Sequence, residues 1–192
     1  MAKIFVLSAP SGAGKSSLIN AVLKKFPRLF FSVSATTRKP RAGEQEGREY
    51  YFKQRAEFEA MIARGELAEY QEIYGNYYGT PIGPLRENLA AGRDVIMDID
   101  VYGKKKLDMV FPDAVGIFIT VPSLNELEQR LRLRKTDDPS IIKKRVQEAK
   151  KEIEFAEKQG VYKYTVINDD FQRAVGELGD IIETESRTAD IR

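Results

Sequence analysis

The 192-residue chain has no cysteine and no histidine. Without cysteine there is no disulfide, no thiol nucleophile and no Cys-bearing zinc site. Without histidine the commonest general base and metal ligand is missing, and a Ser-His-Asp triad is impossible. No apolar run approaches the roughly 20 residues that cross a bilayer. The opening Met-Ala-Lys and Ile4 to Leu7 make too short an apolar stretch for a signal peptide, and no small-residue cleavage site follows. A cytoplasmic protein with no membrane partner is therefore expected. Charge of one sign is also scarce: the net charge is only +2, so bulk electrostatics does not point to nucleic acid. Any anion bound must be gripped by local clusters.

What remains for chemistry is carboxylates, lysine, arginine, hydroxyls, backbone N–H groups and a borrowed Mg²⁺. That set suits phosphoryl transfer, which needs positioning and charge neutralisation more than a strong base. With 42% hydrophobic and 31% charged residues, the length fits one domain able to bury a sizeable core.

Short apolar runs at 3–8, 94–100, 114–121 and 162–168 read as buried strands. Helical spacing follows the first, with Leu18, Ile19, Val22, Leu23 and Phe26 on one face. Ser123 to Glu126 fits a capping box before a stripe of Leu124, Leu127 and Leu131. A long polar helix is expected from about Pro139 to Lys158, with Glu154 and Lys158 paired, and a last helix over 171–183. The polar tail from Thr184 onward is expected to fray. Alternating strands and helices imply an α/β fold: a three-layer core with a parallel sheet. Two segments break the rhythm: 32–81, rich in Tyr, Gly, Arg and Glu, reads as a small β-containing lobe, and 132–140 is a charged excursion.

The segment SAPSGAGKSS (8–17) lies between the first strand and the first helix. It approaches the phosphate-loop pattern G-x-x-x-x-G-K-[ST], with Gly14, Lys15 and Ser16 matching and Ala9 replacing the leading glycine. In such a loop backbone N–H groups wrap the phosphates, Lys15 reaches the β- and γ-phosphates and Ser16 ligates Mg²⁺. Gly12 and Gly14 supply the curvature, and a negative φ is expected at Ala9, where a methyl is then tolerated. A Gly-Ser turn without a ligand is the plain alternative, which the strand-loop-helix context disfavours. DVYG (100–103) matches the D-x-x-G of GTP switches, but no Asn-Lys-x-Asp for guanine is present.

Arg38, Lys39, Arg41 and Arg48 crowd into one loop, followed by Tyr50 and Tyr51. Arginine forks bind phosphate bidentately, although on charge alone a solvated basic loop is the preferred reading. Taken with FSVSATTRKPRAGE, YYF, GNYYGT, DID, VPS, RLRLRKTD and INDD, in this order, the chain resembles the guanylate kinases along nearly its whole length. Alanine at the Ala9 position occurs in that family.

The resemblance implies a P-loop core (1–31, 82–131 and 146–192), an inserted GMP-binding lobe (32–81) and a helical lid (132–145). It implies that Ala9, Pro10, Ser11, Gly12, Ala13, Gly14, Lys15, Ser16 and Ser17 hold ATP, with Asn168 and Asp169 beside the adenine. Arg38, Arg41, Tyr50 and Tyr78 would hold the GMP phosphate. Glu69 would accept from guanine N1–H and the 2-amino group, Ser34 and Thr80 would donate to O6, and Asp100 would face the monophosphate. Lys15, Arg41, Arg134 and Arg145 would be catalytic, and Asp98 would reach Mg²⁺ through water. The implied reaction is ATP + GMP ⇌ ADP + GDP. Departures from the family are Leu133 and Lys135 in place of glycines, and Tyr102 in place of glutamine. Pro81 and Pro84 also stiffen the segment around the end of the lobe. Two alternatives are a monophosphate kinase for another base and a non-catalytic guanylate-kinase-like module that binds proteins.

Overall fold

The computed structural model describes residues 1–133, 137–159 and 161–189. In chain order it runs β1 (Ile4–Ser8), α1 (Lys15–Lys25), β2 (Phe30–Ser32), β3 (Ala35–Thr36) and β4 (Tyr51–Phe52). Next come α2 (Arg55–Ala63), β5 (Leu67–Ile73), β6 (Asn76–Pro81), α3 (Ile82–Ala90), β7 (Val95–Asp98) and α4 (Val101–Leu107). The chain ends with β8 (Val115–Thr120), α5 (Leu124–Leu133), α6 (Pro139–Gln159), β9 (Tyr164–Ile167) and α7 (Phe171–Ala189).

Five strands form a parallel sheet in the order β2-β7-β1-β8-β9. β1 is central and buried along its whole length, as an apolar run in a two-sided sheet requires. Successive side chains point to opposite faces. Phe5 and Leu7 pack with α1, α5, α6 and α7 through Leu18, Leu127, Ala149 and Leu178. Ile4 and Val6 pack on the other face with Leu85 of α3 and Leu107 of α4. A second sheet, β4-β3-β6-β5, lies wholly within residues 32–81 and mixes parallel and antiparallel pairs. Among the described residues no helix is long and apolar enough to cross a membrane.

Several elements differ from the sequence-based expectations. The helices α2, α3 and α4 were not foreseen. α2 opens with a capping box, Gln54 N–H donating to Glu57 Oε2 at 2.7 Å. At α5 Ser123 Oγ caps the Glu126 N–H at 3.2 Å, but the Glu126 carboxylate turns to Arg130 instead. Glu154 and Lys158 do pair, at 3.8 Å.

The expected fraying from Thr184 is overturned as far as Ala189, where α7 ends; residues 190–192 of that tail lie outside the described residues. Its last turns carry anchors: Glu185 is buried and accepts from Lys163 Nζ at 2.6 Å and Tyr164 OH at 2.5 Å. Ser186 Oγ donates to Asp94 Oδ2 at 2.5 Å, tying the helix to the start of β7. Polar composition hid residues that bond inward. Ending the chain at Glu183 therefore lowers stability, by roughly 2–4 kcal/mol for the lost bonds to charged groups. Chemical denaturation checks this; an unchanged midpoint would mean the last turns contribute nothing.

Candidate active site

The carboxyl ends of β1 and β7 lie side by side, with Leu7 paired to Asp98 in the ladder. In a parallel α/β sheet this edge is where ligands bind. The chain leaves β1 and turns tightly, with Ala13 N–H donating to Pro10 O at 3.1 Å. Gly12 and Gly14 have φ of 102° and 89°. Tyr74 is the one non-glycine residue with positive φ among the described residues, so Ala9 leaves the strand with backbone that a methyl tolerates. Gly14 is also crowded: a Cβ there would lie 2.5 Å from Asn168 Nδ2, which donates to Ala13 O at 2.7 Å. Asn168 thus braces the loop from the end of β9.

Lys15, the first residue of α1, ion-pairs with Asp98 and donates to Ile99 O at 3.4 Å. Glu152 of α6 lies within electrostatic reach of Lys15 and of the Ser11 amide. Burial lifts the Glu152 carboxyl to about 7, with Lys15 and the Ser11 amide pulling the other way.

A cavity of ≈ 210 Å³ opens beside Lys15, between the two sheets. Its lining brings together Ser34, Tyr50, Glu69, Tyr78, Asp98 and Asp100, and adds Gln71, Ile73 and Gly79. Thr80 stands against it through its hydroxyl, which donates to Glu69 Oε1 at 2.7 Å. Glu69 is buried, 7% exposed, and burial raises its carboxyl to about 7. The Asp100 charge adds to that rise, while Thr80 and Lys106 oppose it. Asp100 caps α4, accepting the Gly103 N–H at 2.7 Å, and also holds Gln71. The Tyr50 and Tyr78 rings meet edge to face at 6.0 Å. Burial, then the Asp98 charge, raises the Tyr50 hydroxyl.

Arg38 stacks over Tyr50 at 5.3 Å, but its fork is taken by Glu44, at 3.0 and 2.8 Å. Glu44 also accepts the Arg41 backbone N–H at 2.7 Å, which leaves the Arg41 side chain exposed nearby. Arg145 lies on α6 and pairs with Asp137 at 2.8 Å, away from the cavity lining. Arg134 and Lys135 lie outside the described residues. Asp169 pairs with Arg173 and takes the Asp170 N–H at 2.6 Å on the surface. Tyr102 packs on Phe155 of α6 at 4.8 Å, and Leu133 is exposed. The sequence reading missed Gln71, Glu44 and Glu152. Gln71 was in reach, since two residues after Glu69 on a strand is the same face.

A parallel sheet, a lysine-bearing loop of the phosphate-loop pattern at its carboxyl edge and a polar cavity beside it define a phosphate-loop α/β protein. The family model described as guanylate kinase matches residues 1–185. The guanylate kinase of Carboxydothermus hydrogenoformans is 46% identical over 182 residues, covering 95% of this chain and 88% of that one. The guanylate kinase of Koribacter versatilis is 48% identical over 186 residues, covering 95% and 78%. The crystal structure of guanylate kinase from Anaplasma phagocytophilum superposes with a TM-score of 0.78 at 34% identity, covering 96% of this chain and 86% of that one. The chain belongs to the guanylate kinase family.

The buried Glu69 carries a sign that can be measured. Its folded value of about 7 lies above the 4.5 of an exposed glutamate, so below pH 4.5 it costs nothing and stability falls as pH rises from 4.5 to 7. Glu69→Gln removes that loss. The variant should be more stable than the parent at pH 8, by up to about 3 kcal/mol, and no more stable at pH 4. Denaturant melts at the two pH values test it; an equal difference at both would deny the burial of charge.

Proposed function

We infer that the chain transfers the γ-phosphoryl group of ATP to GMP, giving ADP and GDP. The observation that carries this reading is the placement of Lys15, at the phosphate loop, on the wall of the same cavity that holds Glu69. A donor phosphate on the loop and an acceptor base at Glu69 then share one space. Guanine offers an N1–H and a 2-amino group to a carboxylate. Adenine offers neither, and would leave Glu69 buried and unpaired.

Several residues bind and orient. The N–H groups of the Ala9–Ser17 loop, Pro10 excepted, hold the triphosphate, and Lys15 exchanges Asp98 for the β- and γ-phosphates. Asn168 keeps the loop in shape, and Asp169 flanks the adenine. Arg38 gives up Glu44 for the GMP phosphate and the exposed Arg41 side chain joins it, with Tyr50 and Tyr78 as hydroxyl donors. Ser34 and Thr80 serve O6. Arg134 and Arg145 come from the lid to neutralise charge on the transferring group. No general base is called for, since the acceptor phosphate is already an anionic nucleophile.

Mg²⁺ fits the donors present. Ser16 is exposed in the first turn of α1 and Asp98 pairs with its neighbour Lys15, so a hydroxyl and, through water, a carboxylate offer hard oxygen ligands, and the chain has no histidine or cysteine to favour a softer metal. Among the described residues no group of three or more acidic side chains could hold a metal alone. Ser16, and Asp98 through water, would hold the ion together with ATP, where it would supply charge neutralisation. The division into core, lobe (32–81) and lid (132–145) is part of this reading, with closure excluding water from the transfer.

Lys15→Ala should lower turnover by on the order of 10³-fold or more, as loss of a phosphate-loop cation requires, while thermal melting stays near the parent's. A coupled ADP-release assay with GMP and AMP in turn reads the reaction; parent-like turnover in Lys15→Ala, or equal use of AMP, would contradict it.

A further inference from the structure

Gln71 stands at the point where the two sheets meet over the cavity. Glu69 and Gln71 alternate on one face of β5, and both line the cavity. The Gln71 side-chain nitrogen donates to Asp100 Oδ1. That oxygen also accepts the Gly103 N–H at 2.7 Å. Gly103 leaves no room beneath: a Cβ there would sit 2.9 Å from Glu69 Oε2, 3.3 Å from Gln71 Nε2 and 3.4 Å from Asp100 Oδ1. Three polar side chains therefore converge on one glycine. Lys106 Nζ, which donates to Tyr70 O at 2.7 Å, fixes α4 against β5 on the outer side.

This contact fixes the amide's sense. Asp100 Oδ1 can only accept, so the Gln71 group facing it is the NH₂ and the carbonyl oxygen is turned away. Among the described residues that oxygen has no hydrogen-bond partner, and neither does Asp100 Oδ2. One end of Gln71 holds Asp100 in place. The other end is a free acceptor beside Glu69. With Asp100 Oδ1 satisfied by two donors, its second oxygen is also left for a ligand. An acceptor-only edge of this kind wants an N–H donor, and of the purine 6-oxo bases guanine differs from hypoxanthine by one donor group, the 2-amino.

We propose that Gln71 is a specificity-determining residue: it locks Asp100 and, with it, presents acceptors to the exocyclic 2-amino group of the monophosphate substrate. Glu69 takes N1–H, which GMP and IMP share, and one hydrogen of the 2-amino group, and the Gln71–Asp100 pair takes the other hydrogen of that group, which IMP lacks. This deepens the reading of the chain as a GMP kinase and rests on it.

The test compares GMP with IMP, by calorimetric affinity and by kcat/KM, in the full-length parent and in Gln71→Leu, which keeps the volume and removes both donor and acceptor. The expected result is a fall of roughly 10-fold in GMP affinity and kcat/KM, the worth of one hydrogen bond to a polar ligand group, with IMP changed less than about 2-fold. A parallel fall for both would mean Gln71 only packs, and would overturn the proposal. No change for either, or a parent that binds IMP as well as GMP, would overturn it too. If Gln71→Leu fails to fold, Gln71→Ala is judged on the same ratio. A parent that phosphorylates neither compound would overturn the GMP kinase reading itself, and this inference with it; a parent active on GMP with an unmoved ratio overturns the inference alone.

Discussion

The ion pair between Lys15 and Asp98 is the interaction on which the site depends. It exists because β1 and β7 are adjacent and parallel, in register at Leu7 and Asp98, so that the strand ends and the first turn of α1 face one another. The loop between them has two glycines in the left-handed region and no side-chain cap at the helix start. That helix end presents unpaired N–H groups toward the sheet edge, a ready place for an anion. Moving β7 by one strand, or placing a bulky residue at Gly14, would scatter these parts.

In this structure two cations suited to phosphate are held by protein carboxylates. Asp98 takes Lys15, and Glu44 takes the fork of Arg38. Each pairing offsets part of the cost of a buried or half-buried charge. Each also means that a phosphate competes with a carboxylate rather than with water alone. Among the described residues Glu69 differs in having no cationic partner in hydrogen-bond contact, only the Thr80 hydroxyl and the more distant field of Lys106. Its burial works against the stability of the free protein at neutral pH, and a base that donates two hydrogens removes that conflict. The site is thus less comfortable empty than a surface of the same composition would be.

The core was largely legible in the sequence. β1, the loop and α1 announce themselves through an apolar run, a glycine pair and a helical stripe, and the structure places them so. The structure of the guanylate kinase from Anaplasma phagocytophilum shares that architecture. What escaped was whatever depends on partners distant in sequence. α2, α3 and α4 are short, and α4 is built of Gly103 and three lysines after an aspartate cap, a pattern that reads as loop. The last turns of α7 look polar, yet Glu185 and Ser186 bond inward to β9 and β7. The arginine loop reads as free cations because Glu44, six residues from Arg38, gives no hint that it closes back. Gln71 is silent in the sequence because an amide on a strand acquires meaning only when Asp100, 29 residues on, arrives beside it.

The most direct test of the account is a crystal structure with a non-hydrolysable ATP analogue and GMP bound together. The account predicts the triphosphate encircled by the amides of residues 9–16, with Lys15 moved from Asp98 to its terminal phosphates and the guanine edge against Glu69. Phosphates bound elsewhere, with Lys15 still on Asp98, would contradict it.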